Sequence, residues 1–324
     1  MKNYLFILLI CLGCASKKEI VAPKFESKIV STEKLSCRAI FVDTDKVWLG
    51  MDKGRYGFYD KKKDTLVVKT IQSVSNTTEF RSIAATKDAI FILAVGNPAK
   101  LIKIDKKSLQ ETIVYQEENE KVFYDSMQFV DNLNGFAMGD PTEDCLSFIK
   151  TTDGGNSWEK ISCANFPKVS EGEAAFATSN TNLIVKGKSI FMVSGGKKSR
   201  VFVSHDFGTS WQVYETPIVQ GEEMTGIFTA DFYNDKTGII AGGNYLKQTQ
   251  NWSNKAITTN GGKTWNLIAE NEAFGYASCV QFVPNSKAKQ LISVGGTGMF
   301  YSSDFGKSWT KFSDDKDFYT FRFE

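Results

Sequence analysis

Histidine is all but missing from this chain, with one residue, His205, in 324. With that one residue at a variable position of a repeated turn, histidine-dependent catalytic triads and histidine-based metal sites are nearly excluded. Among the four cysteines beyond residue 14 (37, 145, 163 and 279), no Cys-x-x-Cys or Cys/His spacing suggests zinc, so no metal is expected. Charge of one sign is also lacking. The 39 basic and 37 acidic residues leave a net charge of +2, spread without blocks, and give no electrostatic case for nucleic acid. Only five of the basic residues are arginine (38, 55, 81, 200 and 322), so each site able to clamp an anion in two places is worth locating. Long apolar runs are absent: the stretch Tyr4 to Leu12 is too short to span a bilayer as a permanent helix. Beyond it, no window carries a long helical period.

What the chain does have is one phrase, written four times. The copies are Thr151–Trp158, Ser204–Trp211, Thr258–Trp265 and Ser302–Trp309. They resemble the Asp-box pattern, S/T-x-D-x-G-x-S/T-W, and absorb four of the six tryptophans. Asp153, Asp206, Asn260 and Asp304 repeat at intervals of 53, 54 and 44 residues, an array of supersecondary units that argues for a β-propeller. Each position has a local reason. The Asp or Asn oxygen accepts hydrogen bonds from the turn, Gly155, Gly208, Gly262 and Gly306 supply positive φ, and the Trp anchors the returning strand. Asp153, Trp158, Asp206, Trp211, Asn260, Trp265, Asp304 and Trp309 are therefore read as structural, not catalytic.

A weaker mark fills in between the phrases. Apolar stretches ending in glycine recur at Val47–Gly50, Phe91–Gly96, Phe136–Gly139, Phe191–Gly195, Gly238–Gly242 and Leu291–Gly295, giving six units. The first two units carry decayed turns, Tyr59–Asp64 and Ile104–Ser108. Four short strands are read in each unit, as in 126–130, 135–138, 145–149 and 158–162. The last stretch, Phe318–Glu324, resembles the strand that opens a unit, with Arg322 placed as Arg38 and Arg81 are. The expectation is an all-β, seven-bladed propeller over residues 33–324 whose last blade is incomplete, helped by a strand borrowed from Phe25–Ile29. Missing strands would leave open edges, so the sequence is expected to be a fragment short of about half a blade at its end.

The N-terminus reads as an address. Residues 1–13 fit a signal peptide, and Gly13-Cys14 after the apolar run resembles the lipobox of bacterial lipoproteins, with Cys11 a departure from its usual leucine. That resemblance implies lipidation at Cys14, a tether over 14–32 and a place in the bacterial cell envelope, periplasmic or outer-membrane facing. An exported chain meets oxidising conditions. Cys145 and Cys163 lie symmetrically about Gly154 and are predicted to pair across that hairpin, while the states of Cys37 and Cys279 stay open.

Together with Gly238-Ile-Ile-Ala-Gly-Gly243, the four phrases look like the photosystem II stability/assembly-factor family and its non-photosynthetic bacterial relatives. The stretch Gly172 to Trp309 carries the likeness most clearly. The resemblance implies a propeller platform that binds other proteins at a membrane. Some relatives carry a generic oxidoreductase label, which no residue here supports. Gly296-Thr-Gly298 lacks the third glycine of a dinucleotide site, and Gly262-Lys-Thr264 and Gly306-Lys-Ser308 lack the first glycine and following helix of a P-loop. No cofactor is expected.

First strands of propeller blades line the central channel. Comparable positions there hold Arg38, Arg81, Asp125, Glu173, Tyr276 and Arg322. Arg38, Arg81, Glu173 and Arg322 are candidate ligand-binding residues for an anionic ligand or partner segment, and the plainer alternative is that these charges pair and rim a wet channel. The set also holds the residue types of a sialidase, with Glu173, Asp125 and Tyr276 as the catalytic alternative, although Arg38-Ala-Ile and Arg81-Ser-Ile lack the expected Arg-Ile-Pro. Two polar loops, Pro217–Thr225 and Gly243–Trp252, could extend a partner surface. The reading is an exported, lipid-anchored scaffold that binds an envelope or membrane protein, with an Asp-box glycoside hydrolase as the alternative.

Overall fold

The computed structural model describes residues 26–324. The expected leader, the lipidated Cys14 and Phe25 of the borrowed strand lie outside the described residues. The chain is an all-β, six-bladed propeller. Its inner strands are Cys37–Val42, Phe80–Ala85, Tyr124–Phe129, Leu183–Lys186, Thr225–Phe232 and Ala277–Phe282, each followed outward by three antiparallel strands. Two short strands, Glu173–Ala174 and Gly195–Gly196, extend the fifth blade's sheet on its inner side. The only helical turn among the described residues is Cys163–Asn165.

Burial falls from the inside outward. Every residue of the second strand Ala89–Ala94 is buried, because blades pack on both of its faces, whereas the outermost strand Thr65–Thr70 is mostly exposed. Five apolar clusters fill the spaces between consecutive blades, from blades 1 and 2 around to blades 5 and 6. Aromatic stacking tightens them, as where Phe91 lies 4.8 Å from Phe129. Truncating such a buried Phe to Ala costs about 3–5 kcal/mol.

The repeated phrases sit at the turns between third and fourth strands. Asp153 accepts from the backbone N–H groups of Asn156 and Ser157 and from the hydroxyls of Thr151 and Ser157. Partial desolvation works against it, but these bonds hold its carboxyl down at about 2. Asp206 repeats the arrangement, led by the Ser210 hydroxyl, and is also held at about 2. In the decayed turns Asp60 and Asp105 still accept two backbone N–H groups each. Trp211, Trp265 and Trp309 donate their indole N–H to the carbonyls of Gly208, Gly262 and Gly306. Trp158 instead rests edge-on against Phe129, with no partner for its N–H.

Cys145 and Cys163 are joined by a disulfide, with their Cα atoms 5.5 Å apart. The ladder of that hairpin ends at Ile149–Lys160, so the crosslink lies where pairing has stopped. Cys37 and Cys279 are free thiols; burial pushes Cys37 up to about 11.

No seventh blade forms among the described residues. Among the described residues Phe318–Glu324 has no ladder partner and remains irregular. Neither do residues 26–29 form a strand. The tail lies instead at the junction of blades 6 and 1. The Ser278 hydroxyl donates to the Phe318 carbonyl, Tyr319 stacks under Arg38 and Lys61 pairs with Glu324. The same segment that reads as an opening strand thus serves as a wedge that completes the ring.

Candidate functional site

The inner strands share one irregularity. Their pairing with the second strands skips a residue at the same place in five blades, leaving Arg38, Arg81, Asp125, Phe228 and Ser278 as bulges. A bulge bends the strand and redirects its side chain. The glycines ending the second strands explain how the bulges fit. A Cβ on Gly139 would overlap the carbonyl oxygen of Phe123, one on Gly242 that of Gly226, and one on Gly295 that of Tyr276. Bulged side chains reach neighbouring blades and the segments within the channel. Arg38 places its guanidinium 4.2 Å from the centre of the Tyr319 ring, and Phe228 stacks 3.9 Å from Phe176.

Several polar atoms at this mouth have no partner among the described residues. They include Nε of Arg38 and both carboxylate oxygens of Asp125, a side chain that is fully buried. Burial raises the Asp125 carboxyl well above the ordinary range, the charge of Asp140 raises it further, and the Arg81 guanidinium opposes both. Asp140 is itself raised by burial to about 6, although it accepts from Ala175 N–H at 2.8 Å. Arg81 is held by Glu79 at 2.6 Å. The Tyr276 hydroxyl, near Thr178, makes no well-formed hydrogen bond, and desolvation pushes it strongly upward. Its ring stands edge-on to Phe228 and Tyr245, at 4.9 and 5.2 Å.

Two of the residues singled out in the sequence lie elsewhere. Glu173 is taken up by Arg200, whose Nε lies 3.0 and 3.1 Å from its two oxygens, while Ser194 and the Ser170 N–H hold the same carboxylate. Both of its oxygens are taken by these partners, so it presents none to a ligand. Arg322 points into the middle of the channel, where it donates to the carbonyls of Ser179, Asn180 and Phe321 and to the Thr320 hydroxyl. The Arg38, Arg81, Asp125 and Tyr276 positions therefore share a mouth, without Glu173 or Arg322.

Sequence reasoning missed the segment that Arg322 holds. Thr178-Ser-Asn-Thr-Asn182 reads as a polar loop, yet four of its five residues are buried. It crosses the channel. Ser179 donates to the Ser278 carbonyl, Asn180 donates to Ile83 and accepts from Met127 N–H, and the Thr181 carbonyl accepts from Ala230 N–H. Those are inner-strand groups that would otherwise face an empty axis unpaired, and the hydroxyl and amide side chains satisfy them. An unbroken run of five Thr, Ser and Asn residues was the available signal. This crossing divides the channel into two mouths.

Among the described residues, no group of three or more His, Cys, Asp or Glu is placed to hold a metal ion. What the first mouth offers is two guanidinium groups, aromatic faces and a carboxyl that burial raises well above the ordinary range. Such a set can bind a carboxylate or an extended segment carrying one.

No protein-family model and no curated protein matches the sequence. Among solved structures, the chain is similar to one described as YCF48 bound to D1 peptide, with a TM-score of 0.61 and 12% identity over 89% of this chain and 87% of that one. It is also similar to YCF48 from Cyanidioschyzon merolae, with a TM-score of 0.60 and 10% identity over 86% and 85% of the two chains. The WD40 repeats of RRP9 match with a TM-score of 0.62 and 10% identity over 89% and 82%. Identities this low show the β-propeller fold alone.

Proposed function

We propose that this protein is an exported, lipid-anchored β-propeller that binds a protein partner at the bacterial envelope, and that the partner docks at the mouth carrying Arg38 and Arg81. The observation behind this reading is the set of unpartnered, buried polar atoms on Arg38 and Asp125, held on bulges of a rigid ring, and on Tyr276 beside them. Unsatisfied buried groups are costly, and a ligand that supplies their partners recovers that cost. The fold likeness to a YCF48 structure described as bound to a peptide supports a protein partner. Residues 1–13, Cys14 and the tether to residue 32 would bring the propeller to the membrane.

Binding is favoured over glycoside hydrolysis because the carboxylate and phenol that such chemistry needs are otherwise placed. Glu173 is consumed by Arg200, and desolvation pushes the Tyr276 hydroxyl strongly upward, away from the ionised form of a nucleophile. Pull-down from envelope extracts, with the native chain and an Arg38→Ala, Arg81→Ala double variant, tests the proposal. A partner captured by the native chain and lost by the double variant supports it. Sialoside or arylglycoside turnover that disappears on Arg81→Ala would overturn it.

A further inference from the structure

The channel's other mouth holds a separate cavity of about 300 Å³, at the lower end of the range for small-molecule sites. Residues from all six inner strands line it, and the crossing segment, with Arg322, closes its inner end. No residue of the first mouth reaches it. We propose that this cavity binds a neutral polyhydroxylated ligand of about monosaccharide size.

Unused hydrogen-bonding capacity is concentrated here. The side chain of Gln281 makes no hydrogen bond among the described residues, although Gln281 lines the cavity. Gln128 commits only its Oε1, to Val185 N–H at 2.8 Å, and its amide donors remain free. Lys186 stands 4.0 Å from Asp231, too far for a closed hydrogen bond, so both keep free positions. Asp231 is fixed by the backbone N–H groups of Phe232 and Phe282, each at 2.8 Å. Arg322 adds little, because its four Nη hydrogens go to Thr320, Phe321, Ser179 and Asn180. Phe41, Phe129 and Phe323 contribute apolar faces to the wall.

That combination selects among ligand classes. A sugar hydroxyl donates and accepts at once, so it needs carboxylate or amide oxygens and N–H donors in one shell. Asp231 supplies the first, Lys186 the second, and Gln128 and Gln281 extend them. A free anion would meet the Asp231 carboxylate and a free cation the Lys186 ammonium. A neutral polyhydroxylated ligand uses every group without facing a like charge. Only one carboxylate lines the cavity, so the pair needed to cleave a glycosidic bond is missing there. The site binds and does not hydrolyse.

Saturation-transfer NMR on the full chain tests the proposal with glucose and N-acetylglucosamine as neutral probes and glucosamine and glucuronate as charged ones. Binding of a neutral probe at or below about 20 mM, at least about fivefold tighter than either charged probe, is expected. Gln281→Leu and Lys186→Met should each weaken it by about fivefold to tenfold, and Gln281→Leu should leave the thermal midpoint unchanged, since its side chain supports no other group. The proposal fails if no neutral probe binds at that concentration, if a charged probe binds more tightly, or if Gln281→Leu leaves binding intact.

Discussion

Glu173 and Arg200, 27 positions apart, form a buried ion pair in which Nε of the arginine spans both carboxylate oxygens at 3.0 and 3.1 Å. It ties the short strand Glu173–Ala174 to the start of the strand Arg200–Ser204. Removing one partner strands the other charge away from water, which typically costs 3–5 kcal/mol. Arg200→Ala should therefore lower stability by about 3 kcal/mol or more in urea denaturation. A midpoint within error of the native chain would show that Glu173 is free for another role.

The buried carboxyls Asp125 and Asp140 set a pH dependence of stability. Both are raised in the folded state above their ordinary value of 3.8, Asp140 to about 6, so the folded chain holds more protons than the unfolded one in that interval. Their contribution to stability is complete below the unfolded value and is lost as pH rises through the folded one. Asp125→Asn should raise the thermal midpoint at pH 7.5 relative to the native chain and change it little at pH 4. Melting curves across pH 4 to 8 check this, and an unchanged pH profile would contradict it.

The bulges of blades 3, 5 and 6 depend on the glycines facing them. Gly139→Ala would force a Cβ into the Phe123 carbonyl, and overpacking of this kind costs about 1–3 kcal/mol. Gly96→Ala is the control, because nothing lies within 4 Å of a Cβ there. Denaturation of the two variants should separate them clearly.

These glycines also mark what could be read in the sequence. The turn phrases and the glycines near the ends of the second strands were visible because both are local: a turn must satisfy its own N–H groups, and in blades 3, 5 and 6 the strand passing under the bulge carries glycine where a Cβ would meet a carbonyl. Arg38, Arg81 and Asp125 could be aligned for the same reason. The bulge itself was hidden, since one extra residue breaks the two-residue alternation without leaving a composition mark. In blades 5 and 6 the equivalent positions are Phe228 and Ser278, so Tyr276 is two residues out of phase yet reaches the same mouth through its ring. Glu173 was misplaced because Arg200, its partner, lies in another strand with no pattern linking them. The polar run 178–182 reads as solvent-exposed until the unpaired inner edges that it serves are seen. For Phe318–Glu324, the resemblance to an opening strand was real, but a strand needs a neighbour to pair with, and none is present among the described residues.

The disulfide closes a loop with a sequence separation of 18. Restricting an unfolded loop of that length stabilises the native state by roughly 3 kcal/mol. Cys145→Ala with Cys163→Ala should lose about that amount in denaturant titration, and reduction of the native chain should match it. A difference below about 1 kcal/mol would mean that the crosslink constrains little.

Photo-crosslinking tests the central claim most directly. A photoreactive residue replaces Phe318, 43% exposed beside the Arg38 mouth, or Ile113, 40% exposed on the outermost strand of blade 2, in cells carrying the full chain. The account predicts one discrete crosslinked protein from position 318, absent from position 113 and lost when Arg38 and Arg81 are both changed to Ala. The same crosslinked protein from position 113, or one at 318 that survives loss of both arginines, would contradict it.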